Sequence, residues 1–162
     1  MTMMGETYGW RGKIGFISPG GEWSGCKEYY PLLPEGIALD VTTLGVEKLE
    51  PEDYERIYNL YLPAAKRLEG AECDVIVAGG AAPFSYLGYD RVQAMVRQIK
   101  EQVKVPVITT LDAHFNALKA FSAKKIVIAT PYEDARNEER KKLCESVDFE
   151  VLNIKGLGLH RR

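Results

Sequence analysis

Short apolar runs of strand length recur along the chain, with amphipathic stretches of helix length between them. The runs fall at 13–18, 37–44, 74–78, 105–109, 125–129 and 151–154. Each is apolar on consecutive positions rather than alternate ones, which suits strands covered on both faces. Strands that alternate with helices predict an α/β chain, with a Rossmann-like, mainly parallel sheet flanked by helices.

The helical stretches carry their own signals. Pro51 suits a first helical position, and Tyr54, Ile57, Tyr58, Tyr61, Leu62, Ala65 and Leu68 follow at helical spacing as far as Gly70. Pro63 lies inside that pattern and predicts a kink or a break into two pieces. Val92, Met95, Val96 and Ile99 form the stripe of a second helix. Asp112 reads as the cap of a third, with Phe115, Leu118 and Phe121 inward. Residues 133–144 form a fourth, highly charged and therefore solvated. The Tyr54, Tyr58, Tyr61 stripe reads as core or subunit interface.

Composition excludes several classes of function. The 162 residues hold 21 Lys+Arg against 23 Asp+Glu, a net charge of −2, so no electrostatic feature calls for nucleic acid or an acidic membrane surface. No apolar run approaches the roughly 18 residues of a membrane span, and the first eleven residues lack the apolar core of a signal peptide. Three cysteines without C-x-x-C spacing argue against a disulfide framework or a zinc site. The expectation is a cytoplasmic protein of a reducing compartment, with no metal.

Ligands of parallel sheets bind outside the carboxyl ends of the strands. Three strand exits are rich in small residues: Ser18-Pro19-Gly20-Gly21, Gly79-Gly80-Ala81-Ala82-Pro83 and Thr130-Pro131-Tyr132. Such loops let backbone N–H groups approach a carboxylate or phosphate; equally, their glycines can serve tight turns alone. No loop is a P-loop or a G-x-G-x-x-G turn, so dinucleotide binding has no support. Cys26 follows the first strand on the ligand side and is the candidate nucleophile. Cys73 and Cys144 fall elsewhere and read as structural. His114 reads as a surface or packing histidine with a general base as the alternative, and His160 as tail.

Tyr8-Gly9-Trp10-Arg11-Gly12-Lys13-Ile14-Gly15 leading to Pro19 resembles the start of the maleate cis-trans isomerases. Tyr30-Pro31-Leu32-Leu33-Pro34 and then Pro51-Glu52-Asp53-Tyr54 resemble the arylmalonate decarboxylases. Val105-Pro106, Asn116-Ala117-Leu118, Ile128 to Tyr132, Arg136-Asn137-Glu138 and Gly156-Leu157-Gly158 continue the likeness. Both groups belong to the aspartate/glutamate racemase superfamily.

The resemblance implies two Rossmann-like halves related by a pseudo-two-fold axis, with the first at residues 1–110 and part of the second at 111–162. It implies a small carboxylate or dicarboxylate substrate, thiol chemistry without any cofactor, and a homo-oligomer. The first family thiol falls on Gly80, which is glycine in the decarboxylases too. The hydroxyl residues that follow it are replaced by Ala81 and Ala82, leaving their amides to bind. Pro19 and Gly20 match the first-strand loop, and Tyr132 matches an assisting tyrosine. The isomerases' Asn-Thr-Thr is replaced by Gly21-Glu22-Trp23. The second thiol would lie beyond Arg162, so the expectation is a truncated or shortened relative with little turnover. The alternative is a non-catalytic carboxylate-binding or subunit-interaction module.

Overall fold

A computed structural model describes residues 8–20, 27–48 and 50–159. Strands β1 (Gly12–Ser18), β2 (Ile37–Thr43), β3 (Val75–Ala78) and β4 (Val107–Thr109) form one sheet in the order β2-β1-β3-β4. Strands β5 (Lys125–Thr130) and β6 (Glu150–Gly156) form a second, two-stranded sheet. Every pairing is parallel, so within each sheet the carboxyl ends open on one side. This is the α/β architecture expected from the alternation of runs.

Among the described residues, helices α1 (Pro51–Tyr58), α2 (Tyr61–Gly70), α3 (Ala81–Leu87), α4 (Tyr89–Lys100), α5 (Thr110–Ala120) and α6 (Asp134–Glu145) connect and cover the strands. The break between α1 and α2 is the one Pro63 predicts. A proline lacks the N–H that would reach the carbonyl four residues back, and its ring crowds that carbonyl. Four back from Pro63 is Asn59, where α1 ends. Pro63 itself sits in the first turn of α2, where a missing N–H costs nothing.

The α4 stripe is buried as its spacing implies, with Val92 and Ile99 fully inaccessible. Helix α5 starts earlier than Asp112 suggests. Its cap is Thr109, whose Oγ1 accepts from the Asp112 N–H at 2.9 Å and donates to the Asp112 carboxylate at 2.7 Å. Asp112 is thus the third helical residue, bound to the cap rather than the cap itself. Phe115 is inward, but Phe121 is 86% exposed, because α5 has ended at Ala120 and the chain turns away there.

A continuous apolar cluster runs from Ile17 and Ile76 through Phe84 and Phe115 to Phe149 and Val151. Phe115 stacks on Phe149 with ring centres 5.5 Å apart, joining the two sheets' cores. Tyr54 and Tyr61 are fully buried in the chain's own core, so that stripe is not a surface for self-association. Tyr58 is half-buried beneath Arg91, which pairs with Glu55 at 2.7 Å.

The second sheet departs from two-sided coverage. Helix α6 packs on β6, yet Val127 and Leu152 stand 73% and 58% exposed. The register slips between Ile126 and Val127, leaving Leu152 as the extra residue of a bulge, so a consecutive apolar run arises without burial on both faces.

Candidate functional site

The exit of β1 is tied down by its own polar atoms. Ser18 Oγ donates to the Gly20 carbonyl at 2.9 Å, and the N–H groups of Leu44 and Val46 donate to the carbonyls of Ser18 and Pro19 at 2.8 and 2.7 Å. The segment carrying Val46 is pinned in turn by Asp53, which accepts from the Lys48 and Glu47 N–H groups at 2.7 and 2.8 Å. The Lys48 N–H, and then Arg56, hold the Asp53 carboxyl down to about 2, so this tether persists through the neutral range.

The exit of β3 is shaped by a buried tyrosine. Tyr61 Oη donates to the Gly79 carbonyl at 2.7 Å, while the Gly79 N–H donates to Ile17 at 2.8 Å. Gly80 then adopts φ 154°, and a Cβ there would lie 2.8 Å from Tyr61 Oη and 3.0 Å from the Phe84 ring. The position therefore favours glycine for its backbone and for its space. Ala81 and Ala82 open α3, where their N–H groups have no intrahelical acceptor, and Pro83 brings no N–H at all. The nearby Ser85 hydroxyl is committed to the Ala81 carbonyl at 2.8 Å.

The exit of β5 is held by Asn137, which is only 3% exposed. Thr130 Oγ1 donates to Asn137 Oδ1 at 2.5 Å and accepts from the Tyr132 N–H at 3.1 Å. Asn137 Nδ2 donates to the Tyr132 carbonyl at 3.4 Å. Gly156 crosses so close to the Tyr132 carbonyl that no side chain fits at that point. Removing the amide takes the acceptor from the part-buried Thr130 hydroxyl and leaves the Tyr132 carbonyl with the Gly158 N–H alone, at 3.2 Å. Asn137→Ala should therefore lose roughly 1–3 kcal/mol in urea unfolding, and an unchanged midpoint would contradict this network.

These three exits meet. Pro19 and Gly20, Gly79 to Pro83, and Pro131 with Tyr132 line one cavity of about 900 Å³. Phe16, Leu32, Val46 and Leu159 give it an apolar wall, with Tyr29 tilted against Phe16 at 5.1 Å. Among the described lining residues none is Lys, Arg or Cys; beside Tyr29 and Tyr132, the ionisable side chains are Glu28 and His114.

Of the residues singled out in the sequence, Pro19, Gly20, Gly80, Ala81, Ala82 and Tyr132 are thus brought together. Cys26, Gly21, Glu22, Trp23 and His160 lie outside the described residues. Cys73 precedes β3 at the opposite end of the sheet, Cys144 lies late in α6, and burial pushes both thiols up. Neither reaches the cavity. His114, read as a surface or packing residue, lines it from the second turn of α5; a strand exit followed one helical turn later by a titratable residue was the available signal. The apolar wall was not legible, because Leu32 and Val46 arrive from segments outside the strand exits.

Among the described residues, no group of three or more His, Cys, Asp or Glu side chains is placed to hold a metal ion, and no helix is long and apolar enough to cross a membrane.

The family model described as arylmalonate decarboxylase matches residues 14–161. The chain belongs to the arylmalonate decarboxylase family. It is 28% identical over 130 residues to the arylmalonate decarboxylase of Bordetella bronchiseptica, an alignment covering 80% of this chain and 52% of that protein. The fold is shared with a liganded double mutant of arylmalonate decarboxylase, at a TM-score of 0.81, 23% identity and coverage of 91% and 63% of the two chains. It is also shared with a mutant of the maleate isomerase of Pseudomonas putida S16 with maleate, at a TM-score of 0.78, 18% identity and coverage of 91% and 64%. The chain thus spans about half to two-thirds of the length of these members and neighbours of the arylmalonate decarboxylase family.

Proposed function

We propose that the cavity binds a small carboxylate or dicarboxylate bearing an apolar group, and that residues 1–162 alone turn it over little or not at all. The observation that carries this reading is the meeting of three small-residue strand exits around one cavity that offers backbone amides and, among the described residues, no lysine or arginine. The N–H groups of Ala81 and Ala82 hold one carboxylate, Pro19 and Gly20 close one side, and Tyr132 assists from the other. The wall of Phe16, Leu32 and Val46 suits an aryl or alkenyl substituent.

The chemistry implied by the family is cofactor-independent proton transfer beside an activated carboxylate. Such a reaction needs donors aimed at a developing enediolate and an acid or base poised near neutrality. The amides can meet the first need. Gly80 can meet no part of the second, and the hydroxyls of Ser18, Ser85 and Thr130 are already committed. Cys26 is the one thiol left for the nucleophile's role.

A second reading, a non-catalytic carboxylate-binding or subunit-interaction module, is favoured by the exposed Val127 and Leu152 on the second sheet, which would promote self-association. We read residues 1–110 and 111–162 as the two structural units in either case, and the protein as cytoplasmic.

Titration calorimetry with phenylmalonate and with neutral phenylacetamide tests the binding. The dianion should bind and the amide should not. Ala81→Asp, which sets a like charge on an exposed residue at the cradle, should weaken phenylmalonate at least about tenfold without unfolding the chain. Equal affinity for the two probes, or for the two proteins, would contradict the proposal.

A further inference from the structure

We infer that His114 is a proton-linked recognition residue: its protonated imidazole pairs with a carboxylate of the ligand held in this cavity. The inference rests on the carboxylate-binding reading above and adds a residue to it.

The cavity's charge inventory points to His114. Among the described lining residues it is the side chain able to become a cation, since no lysine or arginine reaches the wall. It stands on α5, the helix that follows β4, whereas the small-residue cradle follows β3 and Tyr132 follows β5. A ligand that spans the cavity therefore meets His114 from an element separate from the amide cradle. The position is supported from below: Thr109 caps α5, and Gln93 Nε2 donates to Asp112 Oδ1 at 2.9 Å, fixing the first turn, which directly precedes His114. Phe115, the next residue, is locked between Tyr89 and Phe149, so α5 cannot rotate the imidazole away without unpacking the core.

The electrostatic surroundings set the sign. Burial, and then Arg140 of α6, push the His114 ring below its ordinary value. Glu28, Tyr29 and Tyr132 line the same cavity, and on its own helix stands Asp112, whose carboxylate is occupied by Thr109 and Gln93. The ring is therefore harder to protonate than a free imidazole before a carboxylate approaches it. A carboxylate entering the cavity favours the charged ring and raises its pKa. Binding then takes up a proton, and affinity climbs as pH falls from above the bound-state pKa to below the free-state one. The total gain equals ten raised to the difference between the two. An opposite charge within hydrogen-bond reach moves a pKa by about one unit or more, so the gain should be about tenfold or larger.

The test uses phenylacetate, a monocarboxylate that stays ionised through the window, titrated at pH 8 and pH 5.5 into wild type and His114→Gln. The His114 ring proton is followed by NMR in parallel, assigned by its loss in the variant. Wild type should bind about tenfold more tightly at pH 5.5, with the ring pKa rising on saturation. The variant should lose the pH dependence. Binding with equal affinity at both pH values, or a pH dependence that survives His114→Gln, would overturn the inference while leaving the carboxylate site intact. Absence of binding at either pH would overturn both.

Discussion

Tyr61→Ala should remove about 3–5 kcal/mol of stability, and Tyr61→Phe about 1–2 kcal/mol. The two variants separate the ring from its hydroxyl. The ring is fully buried and lies 5.6 Å from the Phe84 ring, so truncation opens a cavity at the junction of α2 and α3. The hydroxyl donates 2.7 Å to the Gly79 carbonyl, and its loss leaves that carbonyl buried without its donor. Since a domain of this size is stable by only about 5–15 kcal/mol, the alanine variant should sit near its unfolding threshold. Urea midpoints measure both effects. Equal losses for the two variants would show that the hydroxyl alone shapes the β3 exit, and a neutral Tyr61→Phe would show that it does not.

Turnover should be at or near background. A missing acid–base group alone removes roughly 10²–10⁴-fold in rate, and among the described residues no cysteine lines the cavity. Carbon dioxide release from phenylmalonate and isomerisation of maleate, assayed with wild type and Cys26→Ser, should give the same low values. Robust turnover that survives Cys26→Ser would contradict this account, because no described thiol reaches the cavity. Turnover that vanishes in the variant would contradict it too, and would make the loop cysteine the nucleophile.

The fold was legible where one signal dominated. Consecutive apolar runs marked β1 and β3, and Pro63 marked the break at Asn59. The α4 stripe was unambiguous because period and burial agree. Reading failed where two signals competed. Asp112 and Thr109 are both good cap residues, and only the hydrogen bonds show that Thr109 is the cap. Phe121 continues the helical spacing of Phe115 and Leu118, but the helix stops one residue before it. The run at 151–154 looks two-sided because a bulge, invisible in composition, places Leu152 and Asn153 both outward.

At the site, the backbone was more legible than the walls. Small residues at three strand exits announced close approach, since parallel strands bring their carboxyl ends to one side. His114 reads as a surface or packing histidine, with a general base as the alternative, because one turn of helix separates it from its strand and a lone histidine carries no sign of what faces it. The Thr130–Asn137 clamp was missed for a related reason. Its partners are seven residues apart, and the amide's role depends on Gly156 arriving from β6.

The central claim is that the three strand exits form a single carboxylate site. Amide NMR of the wild-type chain during titration with phenylmalonate tests it most directly. The account predicts saturable shifts that share one dissociation constant at Gly20, at Gly79 to Ala82, and at Tyr132. Shifts confined to one loop, different constants for different loops, or shifts only on the Val127 and Leu152 face would contradict it.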